Sequence, residues 1–225
     1  VHGTVPLRAR WEEWMTELVG DPAQVSRLTS EYGSPVNVLN PAPLRRNAQE
    51  LLGAGASHAV DTQVFFARKA NKALCFVDAA REAGLGVDVA SENELRQVLN
   101  RGVSPKRIIL SAAIKTDSLL RLAIERGVTI SCDSRPEAER IAALAEALTK
   151  TAHVAPRLAP NPENLPPTRF GELLQAWRTY SWPDKVHADG VHVHLHGYSE
   201  SDRRTALGEA IALIEHLRAA GQPAS

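Results

Sequence analysis

From Gln63 onward the sequence alternates between short apolar runs and amphipathic stretches at an even period. The apolar runs are QVFFARKA, LGVDVAS, RIILSA, VTISCDS, HVAPRLAP and DGVHVHLHG. Between them the spacing predicts helices over Ala73–Glu82, Glu92–Asn100, Asp117–Arg126, Pro136–Leu148 and Arg203–Ala219. Ser91, Thr116 and Ser134 stand at N-cap positions, where a side-chain oxygen satisfies a free backbone N–H. Gly84, Gly102 and Gly127 stand just past helix ends. Strand–helix–strand repeated in this way means parallel strands joined by right-handed crossovers. The strand starts near Val64, Gly86, Ile108 and Val128 lie about one βα unit apart, which favours a (β/α) barrel over a doubly wound sheet; the pattern alone admits both. Six strands are visible, where a closed barrel of this type has eight.

Three segments follow from this reading. Residues 1–34 form an N-terminal helical extension, with Trp11, Trp14, Met15 and Leu18 as a stripe at helical spacing within a polar stretch from Val5 to Glu31. Residues 35–62 hold an extended run, PVNVLN, and a helix from Pro43 to Leu52. Residues 63–225 hold the incomplete barrel. One irregular connection, Asn161–Pro167 (NPENLPP), is long enough to be a lid or a phosphate contact, or else a plain surface excursion.

Charge narrows the function classes. Lys+Arg and Asp+Glu both number 26, so nothing favours general binding to nucleic acid or an anionic membrane. Two cysteines, Cys75 and Cys132, give no disulfide framework and fit a reducing cytoplasm. No apolar run approaches membrane-spanning length, and no secretory signal core opens the chain.

Two constellations carry chemistry. Lys69, in VFFARKANK, follows an apolar strand and precedes a helix, and catalytic groups project from that end of a barrel strand. Beside Phe65 and Phe66 a lysine would be partly desolvated, which disfavours its ammonium form and frees the amine for Schiff-base chemistry. A solvated surface lysine has the same local sequence. His192, His194 and His196 alternate along one strand and so share a face, opposite Val191, Val193 and Leu195. An outer barrel face packs under helices, so the histidine face is expected to be lumenal. Paired strand histidines can also ligate zinc, but such sites need further ligands and typically use a first-strand pair, whereas these come on the last strand; no metal is expected here.

Several segments, in order, resemble one known family. FFARKANK resembles the Tyr-Ala-x-Lys-Ala-Asn signature of fold-type III pyridoxal-phosphate (PLP) decarboxylases, with Phe66 where many members have Tyr. LGVDVASENEL, RIILSAAIKTDSLLRLAIERGV, CDSRPEAERI, HVAPRL, TRFG and GVHVHLHGYS resemble later segments of the same family, the ornithine, diaminopimelate and arginine decarboxylase and alanine racemase group. The likeness runs from about Tyr32 to Gly221, and the His-x-x-Gly-Tyr-Ser reading resembles a rhizobial Y4yA-like branch. The resemblance implies an alanine-racemase-like TIM-type barrel and PLP as cofactor. It implies Lys69 as the Schiff-base lysine, Asp88 beside it, Arg157 reaching into the same site and His194 stacking on the cofactor ring. His196 is the alternative to His194. Gly197 and Ser199 match the phosphate contact, although the family's His-x-Gly-Ser is stretched here.

The family's Gly-Gly-Gly and Glu-Pro-Gly-Arg segments and its C-terminal β-domain do not occur in the 225 residues. The expectation is therefore the N-terminal part of a larger PLP-dependent amino-acid decarboxylase-like lyase, cytoplasmic, homodimeric at full length and inactive as this chain alone. Alternatives are an inactive truncated fragment, one half of a split protein, a PLP-binding carrier or a racemase.

Overall fold

The computed structural model describes residues 10–160, 168–194 and 199–225. Val1–Asn40 and Pro41–Ser225 form two compact units. In the first, the stretch read as one helix is two: α1 (Glu13–Gly20) and α2 (Pro22–Tyr32). The break has a local cause. Pro22 has no N–H to give to a preceding turn and suits the first helical position. Asp21 caps the new helix, its carboxylate accepting from the Gln24 N–H at 3.0 Å. Residues 35–40, expected as a strand, carry no strand pairing among the described residues.

The second unit opens with α3 (Ala42–Ser57) and then alternates as expected. Its order is β1 (Phe65–Ala67), α4 (Leu74–Glu82), β2 (Gly86–Val89), α5 (Glu92–Asn100), β3 (Ile108–Leu110), α6 (Asp117–Arg126), β4 (Thr129–Cys132), α7 (Arg135–Leu148) and β5 (Ala152–Leu158). Then come α8 (Leu174–Arg178), β6 (Val186–Ala188), β7 (His192–Val193) and α9 (Glu200–Ala219). Neighbouring strands from β1 to β6 pair in sequence order, all parallel, and β7 also pairs with β5. This is a parallel α/β sheet consistent with part of a TIM-type barrel.

The sixth strand departs from the expected single run over 189–197. It is split. β6 pairs with the first half of β5, Ala152 to Val154, and β7 pairs with the second half, Arg157 against His192. Between them the Asp189 N–H still bonds the Val154 carbonyl, but the Asp189 carbonyl accepts from Ser225 N at 2.9 Å. The Ser225 N–H thus occupies a backbone acceptor at the break.

The helices start and stop where capping predicts. Ser91, Thr116 and Ser134 accept from Glu94, Leu119 and Glu137 N–H respectively. Gly127 ends α6 at φ +68°, a left-handed conformation that a Cβ disfavours. One strand face is wholly apolar: Val87, Val89, Ile108, Leu110, Ile130 and Val154 are each fully buried. They pack with Leu95, Val98, Leu120, Ile124 and Ile141 from the covering helices in one core cluster. Each such side chain contributes roughly 1.5–3 kcal/mol by leaving water.

The βα loops repeat one device. Lys72, in the loop after β1, pairs with Glu94, and Glu94 also accepts the Ala90 N–H. Lys115, in the loop after β3, pairs with Glu137 at 2.8 Å, and Glu137 also accepts the Asp133 N–H at 2.8 Å. Each glutamate is the third residue after its N-cap serine, so each helix start is tied to the preceding loop. The two copies differ in depth: the Lys72 side chain is 62% exposed and that of Lys115 is 0%. No helix of the described residues is long and apolar enough to cross a membrane.

Candidate active site

The register shows which residues share the face opposite the apolar core. Ala67 pairs with Asp88, Asp88 with Ile109, Ile109 with Thr129, and Ser131 with Ala155. Side chains alternate along each strand, so Asp88, Ser111, Ser131, Asp133 and Arg157 lie on this second face, and His192 joins them opposite Arg157. The residues are polar because this face is not covered by the helices. Most of them crowd the C-terminal strand ends, where barrel sites are built.

Lys69 sits in the turn that follows β1, closed by the Ala70 N–H donating to the Ala67 carbonyl at 3.0 Å. Its Nζ lies 3.9 Å from Asp88 Oδ2. The expected desolvation by Phe65 and Phe66 is not present. The Lys69 side chain is 57% exposed. Phe66 stacks on Phe76, and Phe65 covers Gly86. β1 also has β2 as its one strand neighbour among the described residues. Asp88 is better covered, at 18%, and its Oδ1 is buried without a hydrogen-bond partner. Burial raises its carboxyl above the usual range, and the Ser111 hydroxyl and the Lys69 ammonium beside it oppose that rise without cancelling it.

Arg157 is buried and held on three sides. Its Nη1 donates to Asp133 Oδ1 at 2.9 Å, its guanidinium lies 4.7 Å from the Phe170 ring centroid, and its carbonyl accepts from the Trp177 indole. The Phe170–Gly171 segment docks here: Gly171 N–H bonds Asp133 Oδ2 at 3.3 Å and Glu172 N–H bonds the Arg157 carbonyl at 3.0 Å. Gly171 has φ +80°, and a Cβ there would lie 2.7 Å from the Arg157 carbonyl oxygen. Gly171→Ala is expected to destabilise the fold by more than about 1 kcal/mol, because both the backbone and the contact are incompatible with a side chain. Urea unfolding checks this; an unchanged midpoint would contradict the docking described.

His192 Nδ1 pairs with the Ser131 hydroxyl. Burial, joined by the charge of Arg157, lowers its pKa to about 4, against a smaller opposing pull from Asp133. The ring is therefore neutral at pH 7. The folded value lies below the unfolded value of about 6.5, so the unfolded chain binds more protons between the two. Stability from this group is complete above about pH 6.5, falls as pH drops and is lost below about 4. His192→Asn is expected to flatten that acid limb in urea melts taken between pH 7 and 4.5. An equally steep loss in the variant would show that other groups carry it.

The remaining expected site residues are placed as follows. His194 lies just past β7 and is exposed. His196 and Gly197 lie outside the described residues, as does the 161–167 connection. Ser199 caps α9, accepting from the Asp202 N–H at 3.1 Å. Sequence reasoning missed Asp133 and Ser131, the residues that hold Arg157 and His192. Asp133, at the end of the β4 strand run CDS, was the one readable signal.

Comparison with known proteins now bears on this arrangement. Residues 45–222 match the pyridoxal-dependent decarboxylase family, in its pyridoxal binding domain. The chain belongs to that family, whose cofactor is PLP. It is 31% identical over 196 residues to the uncharacterized protein y4yA of Sinorhizobium fredii, covering 85% of this chain and 42% of that protein. It is 29% identical over 205 residues to a diaminopimelate decarboxylase of Halalkalibacterium halodurans, covering 84% and 47%. Among solved structures, a diaminopimelate decarboxylase from M. jannaschii superposes with a TM-score of 0.74 at 24% identity, over 87% of this chain and 50% of that one. The arginine decarboxylase of Paramecium bursaria Chlorella virus gives 0.69 at 18%, over 90% and 56%. Both structural likenesses establish the fold. The chain spans about half the length of these relatives or less.

The residues present fit a pyridoxal group. An accessible primary amine stands beside a buried carboxylate oxygen that lacks a donor. A neutral imidazole and a fixed guanidinium lie along the same face.

Proposed function

We propose that this domain supplies the lysine-bearing part of a PLP-dependent decarboxylase acting at the α-carbon of an amino acid, with Lys69 as the covalent anchor. The observation that carries this reading is the contrast among the lysines around the site. Lys115 is enclosed and paired, and Lys72 is paired with Glu94, whereas Lys69 has an accessible amine and a loose 3.9 Å contact. An amine must reach an aldehyde to react, and of these three Lys69 is the one whose amine is exposed and only loosely held.

When bound, PLP supplies an electron sink for the pair left at the α-carbon as CO₂ departs. The chain's own residues bind, orient and hold protons. Lys69 Nζ takes or gives a proton as it engages or releases the cofactor. Asp88, with its raised pKa, can keep a proton near Lys69 or give it up to the neutral amine. Asp133 and Phe170 hold Arg157 still, so its charge is preorganised and its geometry needs no reorganisation. His192, with its neutral ring tied to Ser131, and His194 further along offer flat faces against which an aromatic cofactor can lie. Ser199 at the start of α9, with Gly197, is the candidate phosphate contact, since helix N-termini favour anions. Racemisation would need only a proton returned to the α-carbon. Decarboxylation is preferred because the named enzymes among the relatives quoted are decarboxylases. We further propose a homodimer in the full-length protein and residence in a reducing cytoplasm, where Cys75 and Cys132 stay free as found.

The test is CO₂ release by the full polypeptide carrying this domain, with PLP, over a panel of α-amino acids. Release from at least one basic or diamino acid is expected. Loss of optical activity without CO₂ release would replace decarboxylation by racemisation while leaving the Lys69 assignment standing.

A further inference from the structure

A second chemical cluster lies at the other end of the sheet. His153 is the second residue of β5, on the same strand face as Arg157 but four residues earlier, roughly 13 Å away at 3.3 Å per residue. It pairs in register with His187 on β6, so the two rings stand side by side, centroids 6.0 Å apart and nearly perpendicular at 86°. Asp189, two residues past His187, shares that face, and its backbone N–H is fixed to the Val154 carbonyl at 2.9 Å. His153 Nδ1 and Asp189 Oδ2 are 2.9 Å apart, and one ligating atom from each of the three residues lies within 4.8 Å of the others. Asp189 lies in the break between β6 and β7.

From this geometry we propose that His153, His187 and Asp189 bind a divalent first-row transition ion, zinc in the first instance. Two imidazoles and a carboxylate are the donor set of three-ligand zinc sites that keep an open position, and the same set suits Fe(II). Ligand atoms at zinc bond lengths of about 2.0–2.1 Å in a tetrahedron stand roughly 3.3 Å apart. The 2.9 Å Nδ1–Oδ2 contact is therefore close to one edge of that polyhedron, and the ion takes the place of the shared proton. The other two edges, within 4.8 Å, close by small rotations of the partly exposed side chains. The His153 and Asp189 side chains are 38% and 36% exposed, so an ion reaches them from solvent. Both also line an open cleft with Lys106 and Arg126, which suits water or a small anion as the fourth ligand. The site lies at the strand end away from Lys69, and the inference does not depend on the PLP reading.

The test is zinc binding by the purified protein, by competition against a chromophoric chelator, with cobalt(II) absorption reporting tetrahedral coordination. One equivalent should bind at neutral pH. His187→Ala and Asp189→Asn should each weaken it by more than about a hundredfold, since even outer-shell partners are worth roughly 10–100-fold. His192→Ala should leave it unchanged. His187→Ala removes a side chain from the open face, and the isosteric Asp189→Asn keeps the test alive should that variant misfold. No stoichiometric zinc in the parent protein, or zinc retained in Asp189→Asn, or zinc lost in His192→Ala, overturns the site.

Discussion

Lys69→Ala should lower turnover of the PLP-loaded full polypeptide by roughly 10⁴-fold or more, the scale on which removing a covalent catalytic group acts. The physical reason is that, among the described lysines of these βα loops, Lys69 is the one that is open and held only by a loose 3.9 Å contact. Lys72 Nζ is held by Glu94, and Lys115 Nζ by Glu137 with no exposed side-chain surface. Lys69→Arg separates nucleophile from charge. Arginine keeps the positive charge 3.9 Å or so from Asp88 but cannot be deprotonated in a protein. It should therefore be as inactive as alanine while restoring whatever stability the ion pair provides. That stability is small, because Lys69 is 57% exposed and exposed pairs are worth about 0–1 kcal/mol. Steady-state kinetics and a urea melt on the two variants check both halves. Substantial turnover in either variant would move the covalent role elsewhere.

Lys115→Ala is expected to destabilise the fold by about 3–5 kcal/mol, the cost of leaving an enclosed charge without its partner. Glu137 is 7% exposed and would keep only the Asp133 N–H. That N–H belongs to the residue holding Arg157, so the loss should also loosen Arg157 and weaken PLP binding. The companion change Lys72→Ala touches the same device at a 62% exposed lysine and should cost no more than about 1 kcal/mol. Replacing both members, Lys115→Met with Glu137→Leu, should recover much of the stability, because a buried pair exchanged for apolar volume is often near neutral. Chemical denaturation of the four proteins decides it. Equal losses for Lys115→Ala and Lys72→Ala would show that depth does not govern these pairs.

The alternation of strands and helices was legible because burial on one strand face and one helix face writes two periods into the sequence. The N-caps at Ser91, Thr116 and Ser134 were legible because capping is local chemistry. The split of the sixth strand was not. VHA and HV are too short to show a period, and the Ser225 N–H that bonds the Asp189 carbonyl between them is remote in sequence. The break after α1 had a readable signal in Asp21–Pro22, overridden by the apolar stripe around it. In the site, strand parity placed His192 and His194 on one face, but only the Arg157–His192 register shows which lies beside the guanidinium. The Lys69 environment was misjudged for a related reason. Phe65 and Phe66 are adjacent in sequence, yet alternation sends one ring to Gly86 and the other to Phe76. The His153–Asp189 pair joins residues 36 apart, and its members carry no local motif.

Lys69 is the residue we propose to hold the cofactor. Borohydride reduction of the PLP-loaded protein, followed by digestion and peptide mapping, tests it directly. A pyridoxyl group is expected on the peptide carrying Lys69, in one equivalent, absent from Lys69→Ala. A pyridoxyl group on Lys72 or Lys115 instead, or undiminished labelling of Lys69→Ala, would contradict it.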